Sequence, residues 1–224
     1  GAELKKSLYP KSDSLTELSK PCITEKYSMN KNRLEAFSDG VLAIILTIMV
    51  LEIKVPEGNS WDDLCGLIPV FLSYVLSFIY IGIYWNNHHH MLHSMTHVNG
   101  KILWANLHLL FWLSLVPFST GWIGEHQFAQ APMALYGFFL LMAGTAYYIL
   151  QSFIIQSQGP NSILKKAIGK DYKGMDSPIL YIIGITLSFY SVWMAGAIYA
   201  LVALMWLVPD KRIERIIEHN DSKN

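Results

Sequence analysis

Five long stretches of this chain hold almost no charged residue, and they constrain its fold more than any other feature. They cover residues 41–53, 64–85, 102–123, 129–155 and 178–208. A helix that crosses a bilayer needs about 20 mostly apolar residues. Only 15% of the residues are charged, against roughly 25% in an average soluble domain. The sequence therefore predicts an all-α polytopic membrane protein.

The last stretch decides how many helices to expect. As one helix, its 31 residues would extend about 46 Å, whereas the hydrocarbon core is about 30 Å thick. We expect a break near residues 191–196 and six transmembrane helices; the alternative is five spans with one long tilted helix. The predicted spans are 34–54, 63–92, 98–121, 129–156, 177–191 and 194–209. A mobile cytosolic arm is expected over 1–32, and a short cytosolic amphipathic tail over 210–224.

The distribution of basic residues predicts the topology. Sixteen of the 17 Lys and Arg residues lie before the first stretch, between the second and third, between the fourth and fifth, or after the last. Only Lys54 lies in the other loops. Because cytoplasmic segments collect Lys and Arg, both termini are predicted to be cytoplasmic. Both ends of 178–208 are basic, so this stretch must cross an even number of times, which favours six spans.

Composition and motifs exclude several other classes of protein. The formal net charge is zero, whereas a nucleic-acid-binding domain carries clustered positive charge. Two cysteines, Cys22 and Cys65, are too few for a disulfide scaffold. The sequence has neither an HExxH zinc motif nor a G-x-S-x-G nucleophile elbow, so we do not expect an enzyme. No nucleic-acid partner and no cofactor are predicted.

Polar residues enter the first span within two turns. The segment reads Arg33-Leu34-Glu35-Ala36-Phe37-Ser38-Asp39-Gly40. Ionisable groups in or near a bilayer are costly and face the bundle interior in most cases, which makes them functional candidates. Anchoring at the lipid headgroups explains Arg33 and Glu35. It does not explain Ser38 and Asp39, which lie deeper, so these two are predicted to be functional or to lock the packing.

Four residues of the same span form one continuous stripe. Ile44, Thr47, Ile48 and Leu51 lie at i, i+3, i+4 and i+7, which places them on one helix face. In a soluble protein such a stripe would face the core. In a membrane helix every face is apolar, so the spacing alone does not show what this face contacts.

A cluster of histidines offers a different function. Six of the eight histidines lie between residues 88 and 108. His89, His93 and His97 would share one face of a continued helix, where they could bind zinc or sense pH. This stretch contains no Cys, Asp or Glu, so we favour an interfacial helix end whose imidazoles form hydrogen bonds. The alternative function is a metal-ion or proton-coupled transporter that uses this region.

Acidic residues follow the first span. Glu52, Glu57, Asp62 and Asp63 are all predicted to lie on the outer side. Several copies around a pore would raise the local concentration of cations. An ordinary solvated loop explains the same residues equally well.

Several short motifs follow one another along the chain: Arg33 with Phe37-Ser38-Asp39-Gly40, Tyr84-Trp85 followed by His88-His89, Trp104-x-Asn106, and Pro117-Phe118-Ser119-Thr120. In this order they resemble the motifs of the lysosomal potassium channel family (transmembrane protein 175) in its prokaryotic, single-repeat form. The resemblance covers about residues 33–120. The chain also has no TVGYG-like segment, so no P-loop filter is expected.

The resemblance implies a function, an assembly and a set of site residues. It implies a potassium-selective, constitutively leaky channel in the inner (plasma) membrane of a prokaryote. The channel would be a homotetramer in which each first helix lines a central pore, with potassium as the permeant ion and the lipid bilayer as a partner. The selectivity rings would be Ile44, Ile48 and Leu51, with Thr47 between them. A hydrogen-bond lock would join Arg33, Phe37, Ser38 and Asp39 to His88 or His89, Trp104 and Asn106.

Overall fold

The computed structural model describes residues 22–159, 162, 164–165 and 172–207. Within these residues the secondary structure is helical, without strands. The helices are α1 (Cys22–Leu51), α2 (Trp61–Cys65), α3 (Ile68–His93), α4 (Gly100–Ser114), α5 (Val116–Glu125), α6 (Gln130–Gln158), α7 (Tyr172–Ser188) and α8 (Val192–Leu207). The basic residues Lys166, Lys170, Lys211, Arg212, Arg215 and Lys223, and the predicted tail over 210–224, lie outside the described residues.

Four stretches are long and apolar enough to cross a membrane by length and composition. They are Lys31–Leu51, Ile68–His93, Gly100–Glu125 and Gln130–Gln158. The last apolar stretch of the sequence is divided into α7 and α8, of 17 and 16 residues. The break lies at residues 189–191, close to the position expected from the sequence.

Two helix boundaries differ from the predicted ones. α1 begins at Cys22, directly after Pro21 and inside the predicted arm, because no Pro or Gly interrupts the chain between residues 22 and 39. The third span is divided at Leu115 into α4 and α5. Pro117 follows this break and has no amide hydrogen, so it cannot donate to the carbonyl of Leu113 and continue the α-helical pattern.

The helices pack around α6. This helix contacts α4, α5, α7 and α8, while α1 packs against α3, α4 and α5. The core is apolar and contains several tyrosines, including Tyr136 and Tyr199. α1 is therefore joined to the bundle on one side.

Two glycines make room for the ring of Tyr199 in the core. A Cβ atom at Gly184 would lie 2.5 Å from Cε1 of Tyr199, and one at Gly137 would overlap the Tyr199 hydroxyl. The hydroxyl donates to the carbonyl of Met133 at 3.3 Å, and Tyr80 donates its own hydroxyl to the Tyr199 carbonyl at 2.6 Å. The contacts hold α3, α6, α7 and α8 together at one point.

Candidate functional site

The first helix has two different faces. The face toward α3, α4 and α5 carries a buried stripe of Leu34, Ser38, Leu42, Ile45 and Met49, each no more than 6% exposed. The opposite face carries the four residues singled out from the sequence, Ile44, Thr47, Ile48 and Leu51, and all four are exposed. Leu51 is 77% exposed. The described part of the chain therefore leaves this face largely uncovered.

The hydroxyl of Thr47 is oriented so that its oxygen can accept a further contact on the exposed face of α1. It donates to the carbonyl of Ile44 at 2.9 Å, which occupies its single proton. The oxygen lone pairs remain available on the exposed face, because a hydroxyl has one donor and two acceptor positions. Such an oxygen can coordinate a cation.

A buried chain of hydrogen bonds joins α1 to α4 and α3. The hydroxyl of Ser38 donates to the Leu34 carbonyl at 2.8 Å and accepts from Nδ2 of Asn106 at 2.9 Å. Oδ1 of Asn106 lies 2.7 Å from Nε2 of His88. Because an amide oxygen only accepts, His88 carries its proton on Nε2. Each of these three side chains is at least 98% buried.

A second contact holds Asp39 to α3. Nε1 of Trp85 donates to Oδ1 of Asp39 at 3.1 Å, and the Trp85 ring stacks on that of His89 with 6.4 Å between the centroids. Trp104, the tryptophan named from the sequence, lies elsewhere with its side chain 75% exposed. The sequence did contain Trp85, beside Tyr84, but aromatic residues at a helix end are also typical of membrane interfaces.

The predicted lock is thus only partly assembled within one chain. Ser38, Asp39, His88 and Asn106 lie in the hydrogen-bonded group. His89 reaches it only through its contact with Trp85. Arg33 and Phe37 are exposed. They line a surface pocket together with Leu103 and Leu107 of α4.

The helix that carries His89 and His93 does not continue as far as His97. α3 ends at His93, with Ser94 as the following cap residue, so His97 falls outside the helix and its Nδ1 pairs with the Thr96 hydroxyl at 2.8 Å. His89 and His93 remain neighbours, with ring centroids 6.2 Å apart. In the described part of the chain, no group of three His, Cys, Asp or Glu side chains could hold a metal ion. His108 accepts a hydrogen bond from Nε1 of Trp112 at 2.8 Å.

The acidic residues after α1 have different surroundings. Asp63 accepts from the backbone amide of Ser60 at 2.9 Å and from its hydroxyl at 2.5 Å, and these bonds lower the pKa of the Asp63 carboxyl. Glu57 and Asp62 are exposed. Glu52 lies against Gly121 of α5, where a Cβ atom would lie 3.2 Å from its Oε2. Asp63 therefore has a capping role for α2.

One basic residue also belongs to this region. Lys54 forms an ion pair with Glu125 at the end of α5, and this contact raises the pKa of the Lys54 ammonium group. Glu125 lies more than 60 residues further along the chain than the acidic residues that follow α1. The pair links the end of α1 to the end of α5.

Comparisons with known proteins identify the family of this chain. Residues 33–117 match the profile of the family described as endosomal/lysosomal potassium channel TMEM175. A protein of Chryseobacterium sp. (strain P1-3), named a potassium channel, is 59% identical over 192 residues, which cover 86% of this chain and 100% of that protein. Human TMEM175, named an endosomal/lysosomal proton channel, is 35% identical over 37% of this chain and 19% of its own length.

A solved structure has the same fold. It is the crystal structure of a lysosomal potassium-selective channel TMEM175 homolog from Chamaesiphon minutus. It superposes with a TM-score of 0.69 and 27% identity, covering 81% of this chain and 98% of the other. With the match to the Chryseobacterium protein, this places the chain in the endosomal/lysosomal potassium channel family TMEM175.

Proposed function

We propose that this protein is a potassium-selective, constitutively leaky channel in which four copies of α1 line a central pore. The observation that carries the proposal is the uncovered stripe of Ile44, Thr47, Ile48 and Leu51 on a helix whose opposite face is fully packed. The names of the bacterial relatives support the choice of ion. A channel of this kind catalyses no reaction, so no enzymatic step is proposed.

Selection would depend on how easily an ion loses water at a narrow apolar ring. Rings of Ile44, Ile48 and Leu51 would form hydrophobic constrictions, which oppose the passage of hydrated ions. Potassium is larger than sodium and holds its water less strongly, so it loses part of its shell at a lower cost. The free lone pairs of four Thr47 hydroxyls would replace some of the lost water oxygens.

The buried hydrogen bonds would set the rotation of α1 about its axis. Ser38 belongs to the same stripe as Leu42, Ile45 and Met49, so holding Ser38 against Asn106 turns that stripe inward. Ile44 and Ile48 then point away from the bundle. The contact between Asp39 and Trp85 would support the same orientation one residue further along.

The proposed topology follows from the charges and the helix lengths. Six spans, with α7 and α8 as the short fifth and sixth, would place both termini in the cytoplasm according to the positive-inside rule. Glu52, Glu57 and Asp62 would then lie at the outer mouth, where they would attract cations. We propose the inner (plasma) membrane of a prokaryote as the location, since the relatives of similar length are bacterial.

A flux assay tests the channel function directly. We expect liposomes that contain the purified protein to pass potassium faster than sodium, without a coupled substrate, because the proposed pore is always open to ions that shed water. The measurement is the rate of potassium or sodium efflux down its concentration gradient in the absence of valinomycin. Empty liposomes are the control. Flux that saturates, requires zinc or follows a proton gradient would instead support the transporter alternative.

Cross-linking tests the arrangement of α1. In a background with Cys22 and Cys65 replaced by serine, Leu51→Cys is expected to form disulfide-linked dimers readily, because equivalent residues would meet near a central axis. The matched control is Val50→Cys, which is also exposed but lies about 100° further around the helix. Equal cross-linking at both positions, or none at Leu51→Cys, would contradict a pore lined by α1.

A further inference from the structure

A cavity lies between helices of the bundle, away from the exposed face of α1. It has a volume of about 50 Å³, is lined by residues of α3, α6, α7 and α8, and is partly open at Tyr148, which is 60% exposed. Five tyrosines contribute to its wall, together with Trp206. We refer to it as the tyrosine cavity. By the measure that one water needs about 10–15 Å³ of such space, it has room for about four water molecules.

Most of the polar groups around the tyrosine cavity already have protein partners. The hydroxyl of Tyr80 donates to the Tyr199 carbonyl at 2.6 Å. Nε1 of Trp206 donates to the Ser177 hydroxyl at 2.8 Å, and that hydroxyl donates to a backbone carbonyl at 2.6 Å. These groups have little hydrogen-bonding capacity left for an occupant.

Two polar side chains in the wall have no hydrogen-bond partner of this kind. Gln151 is 93% buried and Tyr84 is 91% buried, and both line the cavity. Neither the Gln151 amide nor the Tyr84 hydroxyl has a hydrogen-bond partner among the described residues. Their polar atoms nevertheless keep some accessible surface. Among the described residues, the one buried side-chain polar atom that has neither accessible surface nor a hydrogen-bond partner is Oε1 of Glu35. Their polar atoms therefore face the open space of the cavity.

The number of unpaired polar groups in the wall decides which kind of molecule the tyrosine cavity can hold. About four waters would each need two to four polar partners, whereas the buried side chains of the wall offer one unpaired amide and one unpaired hydroxyl, and the Tyr148 side chain is 60% exposed. A molecule with one polar end and an apolar body needs fewer. None of the lining residues carries a charge, so a charged occupant would lack the pairing that a buried charge requires.

We propose that the tyrosine cavity binds a small neutral alcohol, or a molecule of the same chemistry, with its hydroxyl between Gln151 and Tyr84. The hydroxyl would donate to the amide oxygen of Gln151 and accept from the phenol of Tyr84. The apolar body would lie against the aromatic rings of the wall. This site is separate from the proposed pore and does not depend on it.

The test uses 2,2,2-trifluoroethanol as the probe, followed by fluorine NMR on the purified full-length protein in detergent. We expect saturable broadening of the probe signal at millimolar concentrations. Gly144→Ala is expected to abolish the saturable part, because its Cβ would lie in the cavity 3.7 Å from the Tyr84 hydroxyl and 3.8 Å from the Tyr181 ring. A methyl group is close to the size of a water molecule, so it would fill about a quarter of the space and leave too little for both the hydroxyl and the trifluoromethyl group of the probe.

The matched control is Gly82→Ala. Gly82 is also a helix-interior glycine, and a Cβ atom there would meet nothing within 4 Å. Binding by this variant should equal that of the native protein. Gln151→Leu keeps the volume but removes the polar partner, and it should weaken binding about threefold to tenfold.

Two results would overturn the proposal. One is the absence of saturable binding by the native protein. The other is equal binding by the native protein and Gly144→Ala, which would place the probe elsewhere or in the detergent. Thermal unfolding of each variant reports whether it is folded, and Gln151→Leu decides the outcome if Gly144→Ala does not fold.

Discussion

Replacing Asn106 by leucine is expected to lower the free energy of unfolding by about 2 kcal/mol, since two interhelical hydrogen bonds are lost and interhelical bonds in membrane proteins contribute about 0.6–1.7 kcal/mol each. The two side chains have similar shapes, so the change removes hydrogen bonds without opening a cavity. His88 would lose its partner in a fully buried position. The measurement is thermal or SDS-induced unfolding of the purified protein.

The control for this experiment is Asn86→Leu. Asn86 lies on α3, near the same end of the bundle, but it is only half-buried. Its loss should change the unfolding free energy by less than about 0.5 kcal/mol. Ser38→Ala combined with Asn106→Leu should cost less than the sum of the single changes, because both disrupt one network. Additive effects, or equal shifts for Asn86 and Asn106, would show that the buried chain is not a cooperative unit.

Ile44→Ala and Thr47→Ala are each expected to lower the potassium-to-sodium permeability ratio, by about tenfold, which corresponds to ~1.4 kcal/mol. The first change widens an apolar ring, so sodium can pass with more of its water. The second removes the hydroxyl oxygens that would replace lost water. The ratio is measured in liposomes or planar bilayers from the reversal potential under bi-ionic conditions.

Val50→Ala is the matched control for both changes. Val50 is on the same helix and is 47% exposed, but it lies about 110° around the axis from the middle of the stripe formed by Ile44, Thr47, Ile48 and Leu51. Its substitution should leave the permeability ratio unchanged. If Val50→Ala lowers the ratio as much as Ile44→Ala and Thr47→Ala do, the stripe is not the selective surface. If none of the three changes affects it, another helix lines the pore.

The positions of the helices could be predicted because apolar runs of this length leave few alternatives in a bilayer. The division between α7 and α8 was also predictable, since a single helix would exceed the bilayer thickness and carry basic residues at both ends. The break at Leu115 was harder to predict. Pro117 is compatible with a kink within one helix as well as with two separate helices, and the sequence does not distinguish them.

Several residues of the candidate site were named from the sequence, but the sequence does not say which of their side chains form hydrogen bonds with each other. Ser38, Asn106 and His88 were named from their motifs, and their side chains form one chain of hydrogen bonds. Which tryptophan reaches Asp39 depends on the rotation of α3 against α1, and the sequence alone does not specify that rotation. The predicted span ended at residue 92, so an alignment of His97 with His89 and His93 required a longer helix, and α3 ends at His93.

The rotation of α1 is the property that sequence spacing was least able to predict. Every face of this helix after Gly40 is apolar apart from Thr47, so periodicity cannot separate a packed face from a free one. Burial separates them: Met49 is 1% exposed and Ile48 is 42% exposed, although they are adjacent. The difference comes from contacts with α3, α4 and α5, which lie far away in the sequence.

The packing of Tyr199 between two glycines has a consequence for how sequences of this kind can diverge. A side chain at Gly137 or Gly184 and a large ring at position 199 exclude each other, because they would occupy the same space. A homologue that loses the ring is free to gain alanine at one or both glycine positions, whereas one that keeps it is not. The three positions should therefore vary together, and an alignment of distant relatives would reveal them as a covarying set.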